Sequence, residues 1–123
     1  MMADICEVVA FEPHPDTAVK LKMNFLLNGI DTKNVYESAV GKDDGTVCFT
    51  NMDSSAVNRM VDTGSRDAYM TVDLKKLDSV IHELSYGKEK RYVVKIDVEG
   101  AEHDVLLGGE KFFTEYDVSI IVF

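Results

Sequence analysis

The chain has 123 residues, 46% hydrophobic and 28% charged, enough for one soluble domain with a buried core and too few for two. Its 22 acids against 13 bases give a net charge of -9, which repels phosphate backbones and argues against a nucleic-acid partner. No apolar run approaches the roughly 20 residues of a membrane span, so no membrane partner is expected.

The opening "MMADICEVVAFEP" has no basic segment, so no secretory leader is expected and the anticipated compartment is cytoplasmic. Cys6 and Cys48 each sit in an apolar stretch and read as buried, reduced thiols. "CEVVAF" (6–11) is short, apolar and Val-rich, a buried strand broken by Pro13 and Pro15. A helix follows, favoured by Asp16 near its start. Val19, Met23, Leu26, Leu27 and Ile30 recur along it at helical spacing, and Asn28-Gly29 stops it. "NVYESAVG" (34–41) is a second strand, "KDDG" a turn and "TVCFT" (46–50) a third strand.

Residues 51–67 are polar and irregular, a long loop of the kind that carries function; its hydroxyls and two arginines suit a polar acceptor. "AYMTVD" (68–73) is a strand expected to pair with 46–50 as a hairpin around that loop. Leu74, Leu77, Ile81 and Leu84 form one helical face, ended by Gly87. "RYVVKID" (91–97) is a strand. A helix occupies 100–107 and is stopped by Gly108-Gly109, and "DVSIIVF" (117–123) is the last strand.

Strands alternating with helices predict a single α/β domain over residues 1–123, built on a mainly parallel sheet with a β-hairpin insertion. Ligands of such sheets bind beyond the carboxyl ends of the strands. That rule selects Glu12, the segment from Ser38 to Gly41, and the segment from Asp97 to Glu102. Glu12 could accept two charge-assisted hydrogen bonds from vicinal ribose hydroxyls; the competing reading is an acid beside the next helix N-terminus. Ser38 and Ala39 are small enough to let a flat ring approach the backbone, or they simply end a strand. Asp97 ends its strand and points into the crevice if the sheet is parallel. Glu99 and Glu102 suit either a rim of that crevice or the acidic start of a helix.

A hard-cation site at Asp97, Glu99 and Glu102 is a further reading. Glu102 and His103 point different ways on a helix, however, and HxxxH, HExxH and CxxC spacings are absent, so no metal is assigned. His14 and His82 have no suitable partners for a metal. The GxGxxG, GxxxxGK[ST] and GxSxG patterns are also absent. A receiver-like domain with Asp97 as phospho-acceptor would need companion acids and a late lysine, for which Glu12-Pro13 is a poor substitute.

Four segments taken together, "VVAFEPHPDTAVKLKMNFLLNGI", "NVYESAVGKDDGTVCFT", "VDLKKLDSVI" and "YVVKIDVEGAEHDVLLGG", resemble the FkbM-type methyltransferase family. They occur in the family's order and span nearly the whole chain. The pairing of "FEP" with "KIDVEGAE" is more specific than either piece alone. The resemblance implies a Rossmann-like sheet and S-adenosylmethionine-dependent methyl transfer, mostly O-methylation of hydroxyls on sugars or other small molecules. By motif it implies that Glu12, with Pro13 beside it, holds the ribose. Ser38 and Ala39 would lie against the adenine, and Asp97 near the methyl donor and acceptor. Glu99 would line the same rim as a second catalytic candidate.

In the family a first strand and a glycine-rich loop precede "FEP", and further strands follow the equivalent of "IIVF". Here eleven residues precede Glu12 and none is glycine. The expectation is therefore an incomplete, truncated methyltransferase sheet that holds the cofactor weakly on its own. Its halves would close directly on each other or pair as a homodimer through a sheet edge. A non-catalytic remnant serving as a binding or assembly module is the alternative.

Overall fold

A computed structural model describes residues 7–50, 60–61, 69–98 and 100–123, with the side chains of 49, 50, 60, 61 and 69 left aside. The elements run β1 (Ala10–Phe11), α1 (Pro15–Leu27), a 3-10 turn (Thr32–Asn34), β2 (Val35–Tyr36), β3 (Ser38–Val40), β4 (Gly45–Thr50) and β5 (Met60–Val61). They continue with β6 (Tyr69–Lys75), α2 (Leu77–Leu84), β7 (Arg91–Ile96), α3 (Glu102–Gly108), α4 (Glu110–Glu115) and β8 (Asp117–Val122). The strands form three small sheets, ordered β1–β2, β3–β6–β4–β5 and β7–β8. The pairs β1–β2 and β7–β8 are parallel and β4–β5 is antiparallel. The fold is thus mixed α/β with mostly parallel pairs, in small sheets rather than one. Two compact units emerge, residues 1–39 with 46–73, and 40–45 with 74–123.

In the first unit the strand expected over 6–11 shortens to Ala10–Phe11 within the described residues. Ala10 aligns with Val35 and Phe11 with Tyr36, and the Glu12 amide donates to the Tyr36 carbonyl (3.0 Å). Pro13, with no N–H, cannot extend the ladder. The Phe11 and Tyr36 rings stack at 5.1 Å across the pair. The single strand expected over 34–41 is two: β2 pairs with β1, while β3 joins the sheet of β6.

Helix α1 starts as its sequence dictates. Pro15 supplies a preset φ in the first turn, and His14 caps it, Nδ1 accepting from the Asp16 amide (3.2 Å). It ends where expected, at Asn28 and Gly29, the latter at φ 70, a conformation glycine adopts without strain. Its inward face differs from the expected one. Ala18 and Phe25 are buried, whereas Val19, Met23, Leu26 and Leu27 face solvent, Leu27 being 82% exposed. The helix carries apolar residues on two faces, and the one holding the bulky Phe25 ring is turned inward.

The neighbour expected for residues 46–50 is found: β6 lies beside β4, and β5, inside the stretch read as a loop, pairs with the other edge of β4. Most of that loop, like Cys6 and Glu99, lies outside the described residues. Cys48 is buried with a free thiol, as its apolar neighbours predict.

In the second unit β6 runs to Lys75, so Leu74 belongs to the strand rather than to the helical face assigned to it, and α2 begins at Leu77. Lys76, at the N-cap of α2, makes no side-chain cap. Asp44 supplies one from the preceding turn, accepting from the Lys76 amide (3.0 Å) and the Ser79 hydroxyl (2.6 Å). Those two hydrogen bonds hold the Asp44 carboxyl below the usual aspartate range, the Ser79 bond contributing most. The helix ends not at Gly87 but at Ser85, left-handed at φ 54, whose hydroxyl donates to the His82 carbonyl.

Strands β7 and β8 pair in register over six residues, from Arg91 with Asp117 to Ile96 with Val122. The connection carries two helices where one was expected. Gly108-Gly109 ends α3 as expected, and α4 begins directly after it; a Cβ at Gly108 would collide with the Gly41 carbonyl oxygen, so close packing requires glycine there. Asp78 of α2 fastens α4 by accepting from the amides of Lys111 (3.2 Å) and Phe112 (2.8 Å).

The alternation of a strand divides β7: Tyr92, Val94 and Ile96 are covered, and Arg91, Val93 and Lys95 are exposed. Under the covered face Tyr92 meets Phe112 edge-on at 5.1 Å and Tyr116 at 5.7 Å. The Tyr92 hydroxyl donates to the Gly87 carbonyl (2.7 Å), and burial, assisted by Tyr116 and Glu89, raises its pKa.

Candidate functional site

Parallel pairing directs the carboxyl ends of β1 and β2 the same way. Glu12 follows β1 directly, and Ser38 lies two residues beyond Tyr36, the last residue of β2. Glu12 is half-buried, and its Oε1 accepts from the amide of His14 (2.9 Å), which closes the Glu-Pro-His turn. One carboxylate oxygen thus shapes the turn; no described residue donates to Oε2. Pro13, half-buried, holds the turn at the φ its ring imposes.

Ser38 and Ala39 are both buried in β3, Ser38 only 2% exposed. Small side chains at these two positions were expected to let a flat ring approach the backbone; in the structure both are covered by neighbouring residues. The Ser38 hydroxyl has no hydrogen-bond partner among the described residues. A buried hydroxyl in that state costs about 1–3 kcal/mol.

Asp97, in the second unit, follows β7 directly as expected but is not buried. Its side chain is 66% exposed and lies 3.7 Å from the ammonium of Lys95. A surface pair of this kind contributes at most about 1 kcal/mol. Burial therefore supplies no argument for Asp97, and its position at a strand end is what remains. Glu102 is half-buried in the first turn of α3 together with Asp104, where acids favour the helix N-terminus.

His14 was passed over in the sequence reading because it lacks metal-ligand partners. It is buried at 7% exposure, and its Nε2 has no hydrogen-bond partner among the described residues. The available signal was its place in "EPHP", directly after Glu12-Pro13 and before a helix start, where one ring nitrogen is committed to the cap.

Two surface hollows occur elsewhere. One of about 250 Å³ lies between Glu7 and Val8 before β1 and the segment from Gly29 to Asn34, hence at the amino end of the β1–β2 pair. The other, of about 190 Å³, lies among α2, α4 and Lys88. Neither is lined by Glu12, Ser38 or Asp97. No helix among the described residues is long and apolar enough to cross a membrane.

The family model described as the methyltransferase FkbM domain matches residues 1–123. No curated protein and no solved structure matches the chain. With the match running over every segment that carries the resemblance, the chain belongs to the FkbM methyltransferase domain family.

Proposed function

We propose that this chain is an S-adenosylmethionine-dependent methyltransferase domain that O-methylates a hydroxyl of a sugar or other small molecule. Family membership supports methyl transfer in general. The observation that carries the cofactor reading is the grouping, at the carboxyl end of one parallel strand pair, of Glu12 and a buried Ser38 hydroxyl that has no partner among the described residues. These residues suit the nucleoside half of the cofactor. The second Glu12 oxygen accepts from ribose hydroxyls, each charge-assisted bond contributing about 1.5–3 kcal/mol. Ser38 supplies the polar group and Ala39 the apolar surface for the adenine. The bound cofactor supplies an electrophilic methyl group. By motif, Asp97 and Glu99 are the catalytic candidates, a carboxylate taking the proton that the acceptor hydroxyl gives up.

Titration with S-adenosylhomocysteine, followed by amide NMR so that weak binding registers, is expected to shift the signals of Glu12 and Ser38. Glu12→Ala is expected to weaken binding at least tenfold. No perturbation up to the solubility limit of the ligand sinks the reading.

The alternative, a non-catalytic binding or assembly module, is favoured by one observation: α1 turns Val19, Met23, Leu26 and Leu27 to solvent. The same titration separates the two, since a folded chain that leaves the ligand untouched keeps only the module reading.

A further inference from the structure

The carboxyl end of the β1–β2 pair holds two buried polar groups with no hydrogen-bond partner among the described residues, not one. The first is the Ser38 hydroxyl and the second His14 Nε2. His14 and Ser38 are both more than nine-tenths buried. Two such groups without a partner at one end of a strand pair are unusual in a native fold, where nearly all buried polar atoms find a partner. A ligand that reaches both removes the penalty.

The chemistry at His14 is defined by its other nitrogen. Nδ1 accepts from the Asp16 amide at 3.2 Å, so it carries no proton in this geometry, and the ring proton sits on Nε2. His14 therefore presents a donor. That bond also fixes the ring, because the cap, the hydrogen bond from the His14 amide to Glu12 Oε1 and the start of α1 at Pro15 restrain the residue together. The Glu12 carboxylate accepts only, and the Ser38 hydroxyl does either. The three side chains thus offer one fixed donor, one fixed acceptor and one adaptable group at the same end of a strand pair.

We infer that His14 is a positioning residue of the cofactor site, its Nε2–H donating to an acceptor nitrogen of the adenine while Glu12 takes the ribose hydroxyls. This deepens the proposed function and rests on it. Adenine presents acceptor ring nitrogens, and a donor held without a protein partner discriminates for them against a ring that lacks an acceptor there. Such discrimination is large because the unpaired buried donor is left behind when the wrong ring binds.

The test uses His14→Asn. Asparagine is among the best helix caps, so it keeps the acceptor for the Asp16 amide and removes the Nε2–H. The variant is expected to keep the unfolding midpoint of the parent and to bind S-adenosylhomocysteine about tenfold more weakly. Ser38→Ala serves as a second variant, expected to weaken binding by a smaller factor. In the unsubstituted chain, nitrogen-15 spectra of the imidazole are expected to report the Nε2–H tautomer, with the Nε2 proton moving downfield when S-adenosylhomocysteine is added. That measurement decides the matter if His14→Asn does not fold. A parent chain that does not bind overturns the proposed function and this inference with it. A parent that binds, with an unmoved Nε2 proton and equal affinity in His14→Asn, overturns the inference alone and leaves a buried water as the partner of His14.

Discussion

The β1–β2 region and the β7–β8 region are both parallel strand pairs joined through helices, yet they are held in different ways. The β1–β2 ladder spans two residue pairs and is ended by Pro13, while its helix shows most of its apolar side chains to solvent. The β7–β8 ladder spans six pairs, and one face lies on the Tyr92, Phe112 and Tyr116 rings. Helix α4 of its connection is fastened at the amino end by Asp78, and α2, just before β7, by Asp44. Packing is concentrated in the second region, and buried polar groups without a partner among the described residues lie in the first. If the proposed cofactor site is there, the difference follows: a site that receives a ligand keeps bonding capacity unspent, and a scaffold spends it.

The strongest way to break this comparison is Phe112→Ala. Phe112 is 2% exposed at the centre of the ring cluster, and its loss is expected to cost about 3–5 kcal/mol in denaturant unfolding. A cost below about 1 kcal/mol would mean that the second region is not organised around that cluster.

A smaller effect is expected from Asp44→Asn, about 0.5 kcal/mol at neutral pH, because the carboxylate is almost wholly solvated. Its sign with pH follows from the lowered folded value. The stabilisation is fully present above the ordinary aspartate value and is lost as pH falls through the lower, folded one. Thermal midpoints of the parent and the variant should therefore converge in strong acid; a gap that widens there contradicts the assignment.

The smallest effect sharpens the other side. Leu27→Lys, on the open face of α1, is expected to change the unfolding free energy by less than about 0.5 kcal/mol. A loss above about 1 kcal/mol in the isolated chain would show that the face is covered in solution.

Order and type of the main elements were legible from periodicity and turn residues, and so were both ends of α1, which depend on neighbours in sequence: Pro15 and Asp16 at one, Asn28-Gly29 at the other. Glu12 as a strand-end residue was legible for the same reason, whereas Ser38, expected within the strand over 34–41, opens β3. Glu99, a candidate on the same grounds, lies outside the described residues. The break between β2 and β3 was not legible, because each half pairs with a different distant strand. Helix α4 escaped notice because its six residues are too few to establish a period and its start is stabilised by Asp78, more than thirty positions away.

What the sequence determined by itself is therefore local: where helices can begin and end, where proline forbids a ladder, and which family the motifs resemble. Tertiary structure decided which of two apolar faces of α1 turns inward, that Asp97 is exposed, and that His14 is buried with no partner for Nε2 among the described residues. The physical reason is the same in each case. Burial and hydrogen-bond satisfaction are sums over neighbours distant in the chain, and no local pattern records what those neighbours leave undone.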